Sequence, residues 1–232
     1  MIFNLLNASL SKSSDVQHPH PLDNVCQDAK DFYARGWLFG TSGNFSIRGH
    51  EANGCNENTY WVTASGLDKG NLSVEDFIHL GAGLTYVNPN EARKPSDESL
   101  VHEAIYQHIE TAHVVYHVHP PYGTWLSRYQ APQVTLINLP AIEMIKGLGL
   151  PTHEVEVGLP VLPNTQSMQD LCTVLDPLWD ALMIPAFFIQ GHGLYAWGAT
   201  PQEAKRHVEI LEFLFQQQVW DKLYEGRLAS AD

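Results

Sequence analysis

Apolar residues recur along this chain with two periods, and the change from one to the other marks out its elements. Over residues 24–35, Val25, Ala29, Phe32 and Tyr33 repeat at helical spacing and Gly36 ends the run, which predicts a helix. Residues 45–48 and 60–63 alternate as strands, joined by a polar hairpin segment around Asn53 and Gly54. Ser73 reads as an N-cap, with Glu75 and Asp76 in the first turn after it. A further strand is expected over residues 84–87. Leu100, Ala104, Ile105 and Ile109 form one apolar stripe on a helix over residues 96–109, entered through Ser96 and Asp97. The β-branched run 114–118 predicts a buried strand. Residues 134–139, 154–159 and 186–190 are further strand candidates, and a long amphipathic helix begins at Pro201 and reaches about Tyr224. Strands and helices interleave irregularly, which predicts a single α/β domain over residues 23–232. Residues 1–22 read as a polar N-terminal leader, rich in Ser, His, Pro and Asp from residue 8 onward.

Charge narrows the partners. With 26 acidic against 13 basic residues the net charge is −13, which argues against a nucleic-acid binder that must neutralise many phosphates. A small anionic substrate is compatible with it, because a few backbone amides and one or two cations can hold one phosphate. No apolar run approaches the roughly 18 residues of a membrane span. The opening Met1-Ile2-Phe3-Asn4-Leu5-Leu6 lacks the basic flank and long apolar core of a signal peptide. Cys26, Cys55 and Cys172 lie far apart without CxxC spacing, as in a reducing compartment. A cytoplasmic protein is the expectation.

Candidate chemistry centres on His117-Val118-His119. Two residues apart on a strand, the imidazoles share one face and can reach one ion. His192 sits between Gly191 and Gly193 directly after the run Ala186-Phe187-Phe188-Ile189, in a turn where backbone can approach a ligand closely. Three facial histidines leave coordination positions open, as catalysis requires. Thr41-Ser42-Gly43-Asn44 and Thr63-Ala64-Ser65-Gly66 can each offer amides and a hydroxyl to a phosphate, with Lys69 supplying charge. Glu98 and Glu143 are the acid/base candidates. Glu98 also suits a helix N-terminus, whereas Glu143 stands among apolar neighbours that would raise its pKa.

Thr41-Ser42-Gly43-Asn44-Phe45-Ser46, Thr63-Ala64-Ser65-Gly66, Lys94-Pro95-Ser96-Asp97-Glu98 with His102 and Tyr106, His117-Val118-His119 and Gly191-His192-Gly193 occur in an order and spacing that resemble the class II aldolase/adducin family. The resemblance runs from about Val25 to Tyr224. It implies a three-layer αβα fold around a largely antiparallel sheet, and one metal per subunit, usually zinc, on His117, His119 and His192. It also implies a sugar-phosphate substrate against the two Ser/Gly loops, and active sites at subunit boundaries, usually of a homotetramer. Histidine ligands would equally suit iron, cobalt or nickel. Ile142-Glu143-Met144-Ile145-Lys146-Gly147, Leu162-Pro163-Asn164-Thr165 and the segment from Gly191 to Gly198 are most similar to the dehydratase branch. There the residue matching Glu143 is the favoured acid/base and that matching Lys146 lies near the substrate; Glu98 matches the catalytic glutamate of the aldolase branch. Where one branch member has a cysteine, this chain has Ser99, so no cysteine role carries over. The resemblance therefore implies a metal-dependent dehydratase, with an aldolase or epimerase, or a non-catalytic adducin-like module, as the alternatives.

Overall fold

The computed structural model describes residues 20–49, 59–130 and 133–229. Among the described residues nine strands form one sheet: β1 (Asn44–Arg48), β2 (Thr59–Thr63), β3 (Phe77–Gly81), β4 (Thr85–Tyr86), β5 (Val114–Val118), β6 (Thr135–Asn138), β7 (Gly158–Leu162), β8 (Ala186–Ile189) and β9 (Leu194–Gly198). Their spatial order is β4-β3-β2-β1-β5-β9-β8-β7-β6, and every pairing is antiparallel except β7 with β8. Helices α1 (Pro21–Ala34), α3 (Pro121–Arg128) and α5 (Pro201–Ala229) cover one face, and α2 (Ser99–His108) and α4 (Met168–Leu175) the other. This is the three-layer αβα arrangement with a largely antiparallel sheet.

Strand alternation divides the apolar side chains between two cores. On β5, Val114, Tyr116 and Val118 enter the layer with Phe32, Phe188 and Phe215, while Val115 enters the layer with Val101, Ile105 and Leu171. All five β5 residues are buried, as expected of a strand covered on both faces. His117 shares the Val115 face and therefore looks toward α2. On the other side the Tyr116 hydroxyl donates to Asp28 Oδ2 at 2.7 Å, and Lys205 Nζ lies 3.0 Å from Asp28 Oδ1, which ties α1, β5 and α5 together.

Several boundaries differ from the sequence expectation. α1 starts at Pro21, inside the stretch read as leader: His20 forms a capping box with Asp23 and Leu22 is buried. The rest of that leader and the hairpin around Asn53 and Gly54 lie outside the described residues. α2 starts at Ser99 with Glu98 as its N-cap, because Ser96 is occupied in a turn that ends in its bond from the Glu98 amide. The strand expected over 154–159 runs instead over Gly158–Leu162, with Pro160 inside it, and β4 is only two residues long. β3, β9, α3 and α4 were not anticipated.

α3 follows the histidine pair and is held at its start by a buried carboxylate from α5. Glu212 accepts from the Tyr122 amide at 3.1 Å and the Gly123 amide at 3.2 Å, satisfying two donors at the helix N-terminus. Burial, opposed by those two bonds, pushes the Glu212 carboxyl up to about 7. The native state then holds a proton that the unfolded chain has released, so this group's contribution to stability falls as pH rises from 4.5 to about 7 and is level above. Urea unfolding of the wild type and Glu212→Gln across that range should differ by a slope amounting to on the order of 3 kcal/mol, absent in the variant. Parallel profiles would remove Glu212 as its source.

Candidate metal and phosphate site

Neighbouring strands place the first side chains. Asn44, His117 and Tyr195 are register partners across β1, β5 and β9, all on the α2 face. The Tyr195 ring stacks against His117 with centroids 4.1 Å apart and is backed by Phe187 at 5.0 Å. His117 Nδ1 donates to the Leu194 carbonyl at 3.1 Å, which leaves its Nε2 as a free lone pair facing His119 Nε2 at 3.0 Å. His119 lies just past β5, where its amide donates to the Trp37 carbonyl at 2.9 Å.

His192 comes from the turn between β8 and β9. Gly191 takes the left-handed conformation (φ 60°), and the turn is clamped from α3 by Ser127 Oγ, which accepts from the Gly191 amide at 2.9 Å, and by the Thr124 hydroxyl, which donates to the His192 carbonyl. Gly193 has a different reason: a Cβ there would stand 2.6 Å from His117 Cε1, His119 Cδ2 and the Val118 carbonyl. One ligand atom from each of His117, His119 and His192 lies within 4.8 Å of the others. Burial pushes His117 down to about 4 and His119 down to about 3, so both imidazoles are uncharged ligands at neutral pH. Two neutral nitrogens of a tetrahedral site sit roughly 3.3 Å apart, close to the 3.0 Å between His117 Nε2 and His119 Nε2. The donor set thus fits a divalent metal.

Glu98 stands against this triad, its Oε1 3.2 Å from His192 Nε2 and 3.6 Å from His117 Nε2. Its cap position carries no side-chain cap bond. The carboxylate turns inward, toward the imidazoles and away from the helix N-terminus it could have capped. Burial pushes that carboxyl up, but His117, His192 and the Asn44 amide outweigh burial and hold it well below the usual range.

Next to Glu98 and His119 lies a cavity of 120 Å³ walled by Ser42, Gly43, Asn44, Ser65, Gly66 and Lys69, so the two Ser/Gly loops do converge. Lys69 is almost fully buried beneath them, its Nζ donating to the Thr41 carbonyl at 3.2 Å and the Leu67 carbonyl at 2.9 Å. It joins the loops and leaves one N–H for the cavity. Ser65 spends its amide on the Lys94 carbonyl, so its hydroxyl is what remains for a ligand. A larger cavity of 830 Å³ opens beyond the imidazoles, lined by His119, His192, Phe39, Trp125, Arg128 and Asn164 among others. Trp125 and Arg128 gave no sequence signal, because α3 itself was not anticipated.

Glu143 and Lys146 are elsewhere in the chain's own fold. They lie on a 3-10 turn (Glu143–Leu148) that buries Ile145 and Leu148, and line neither cavity. Glu143 is exposed, with Lys146 Nζ at 2.8 Å and His153 Nδ1 at 2.9 Å. The expected upward shift of its pKa is corrected: the hydrogen bond and charge of Lys146 lower it.

The family model of the Class II Aldolase and Adducin N-terminal domain matches residues 23–219. A methylthioribulose-1-phosphate dehydratase of Xanthomonas oryzae pv. oryzae (strain KACC10331 / KXO85) is 40% identical over 183 residues, covering 78% of this chain and 77% of the relative. The protein of the same name from Stenotrophomonas maltophilia (strain K279a) is 36% identical over 195 residues, covering 84% and 85%. Among solved structures, an L-fuculose-1-phosphate aldolase from Thermus thermophilus superposes with a TM-score of 0.66 at 22% identity, over 89% of this chain and 97% of that one. That likeness establishes the fold alone.

Gly193→Ala is expected to push the imidazoles apart, costing about 1–3 kcal/mol of stability and at least tenfold in zinc affinity measured by competition with a chelator. Unchanged affinity would show that the turn does not set the triad.

Proposed function

The chain belongs to the class II aldolase and adducin N-terminal domain family, and within it we propose a hydro-lyase that converts 5-methylthioribulose 1-phosphate to 5-methylthio-2,3-dioxopentyl phosphate and water. The observation that carries this reading is one shared wall: His119 and Glu98 line the same cavity as Ser42, Ser65 and Lys69, so one substrate meets a histidine triad and an anion cradle together. The name shared by relatives up to 40% identical selects dehydration among the outcomes such a site permits. The proposal includes one zinc ion per subunit, a single domain over residues 23–232, a homotetramer, a cytoplasmic location and a place in methionine salvage. Among the described residues no helix is long and apolar enough to cross a membrane.

The substrate carries a phosphate on C1, a ketone at C2 and hydroxyls at C3 and C4. Ser42, Gly43, Asn44, Ser65, Gly66 and Lys69 hold the phosphate, which orients the carbon chain toward the imidazoles. His117, His119 and His192 would hold a divalent metal, which when bound would supply Lewis acidity to favour loss of the C3 proton and stabilise the charge left behind. A carboxylate removes that proton, an acid delivers a proton to the departing C4 hydroxyl, and the enol relaxes to the 2,3-diketone. Trp125 and Phe39, in the larger cavity, shelter the methylthio tail.

Glu143 is proposed as the principal acid/base and Lys146 as its companion near the substrate. Since neither lines the two cavities beside the triad, they serve the site of a neighbouring subunit, as active sites at subunit boundaries require. Glu98 assists from within. The aldolase or epimerase reading draws support from Glu98 itself, which faces the triad in the role of the aldolase-branch glutamate.

Purified protein with zinc should release the diketone from 5-methylthioribulose 1-phosphate, followed by NMR. Retro-aldol cleavage of fuculose or rhamnulose phosphate without dehydration would replace this reading by the second. Glu143→Gln should lose about 10²-fold or more in kcat with its metal retained. Mixing Glu143→Gln with His117→Ala subunits should restore part of the activity through hybrid sites. Full activity in Glu143→Gln would remove Glu143 from its role, and no recovery on mixing would place it in its own subunit's site.

A further inference from the structure

Behind Glu98 runs a line of buried polar side chains of which the proposed chemistry uses only Asn44. Asn44 Nδ2 donates to Glu98 Oε2 at 2.5 Å, and Asn44 Oδ1 lies 2.5 Å from His102 Nε2. On the far side of that ring His102 Nδ1 is 2.6 Å from Ser46 Oγ, which is 2.6 Å from the Tyr106 hydroxyl. Asn44, Ser46, His102 and Tyr106 are all buried, Ser46 and His102 completely. Two periodicities build the line: β1 presents residues 44 and 46 on one face, and α2 presents residues 102 and 106 one turn apart opposite them.

The direction of each bond follows from donor chemistry. An ionised carboxylate only accepts, so Asn44 turns its NH₂ to Glu98 and its carbonyl to His102. That carbonyl only accepts, so the proton of His102 sits on Nε2. An uncharged ring then accepts at Nδ1, where Ser46 must donate. Ser46 has no second proton, so Tyr106 donates to Ser46. Every donor in the line points toward Glu98. Burial pushes His102 down to about 3, in keeping with an uncharged ring.

We infer that His102, set by Ser46 and Tyr106, is a positioning residue that fixes the amide of Asn44 and thereby pins Oε2 of Glu98, leaving Oε1 to face His117 and His192. A flipped Asn44 would set its carbonyl against the carboxylate, which only accepts, so the line admits one orientation only. Because Oε2 is held from behind, Glu98 presents the same oxygen to the triad at each turnover.

The test has one arm independent of activity and one that rests on the proposed reaction. Imidazole ¹⁵N NMR of the zinc-loaded protein, with His102 assigned by its loss in His102→Gln, should show a neutral Nε2–H tautomer. An Nδ1–H tautomer or an imidazolium overturns the inference. In the turnover assay, His102→Leu should lose about tenfold in kcat with zinc content and KM within twofold of wild type. His102→Gln, which can donate to Asn44 and accept from Ser46, should recover most of that loss. A folded His102→Leu protein with wild-type kcat, or His102→Gln no better than His102→Leu, also overturns it. If His102→Leu does not fold, the tautomer and His102→Gln decide. If wild-type protein does not turn over the substrate, the functional reading fails, while the tautomer still decides the hydrogen-bond line.

Discussion

The hydrogen bond from His117 Nδ1 to the Leu194 carbonyl is the constraint on which the site depends. It spends the one proton of a fully buried ring on the neighbouring strand, so the other nitrogen can only be a lone pair. The same strand pairing sets Tyr195 against the ring face and brings the β8–β9 turn, with His192, around to complete the histidine triad. A shift of β9 by one residue would withdraw Tyr195 and turn its face away from α2. Sheet register, imidazole tautomer and metal competence are thus one property seen at three scales.

Electrostatics reconciles a net charge of −13 with the proposed phosphate cradle. The cradle's cation is buried, so its charge is not diluted by bulk water. Lys69 is desolvated, which lowers its pKa, and it is kept in place by two loop carbonyls. An arriving phosphate would restore the partner that burial denies it. Asp68, Glu98 and Asp76 act on Lys69 and favour its charged form, while exposed charges beyond a Debye length of ~8 Å are largely screened.

Much of this was legible in the sequence where one element alone determines the outcome. The run Val114-Val115-Tyr116 demanded a buried strand, and the period-2 rule put His117 and His119 on one side of it without knowledge of any neighbour. The Ser/Gly clusters were readable for the same reason. What escaped depended on packing. α3 contains Gly123, whose missing side chain admits Phe188 and Phe215, where a Cβ would meet both at 2.7 Å. A glycine chosen for contact weakens the helical signal. β9 is buried on both faces, so Leu194 to Gly198 shows no alternation. His102 carries part of the family resemblance, but its partner Ser46 stands 56 residues away on another element, a pairing no local spacing reveals.

The two glutamates that the sequence offered as acid/base candidates stand in opposite environments. Glu98 is enclosed, fixed at one oxygen and directed by the other at the histidines; Glu143 is exposed and answers to Lys146 and His153. A group pinned from behind is suited to constant geometry and poorly suited to following a proton from one carbon to a departing hydroxyl two bonds away. An exposed glutamate on a turn can move, but its lowered pKa makes it a weak base until a second surface covers it and removes water from its ion pairs. Burial of that turn against another subunit would raise the carboxyl toward neutrality, which is where acid/base catalysis needs it. Assembly would then complete the site's proton inventory as well as its walls.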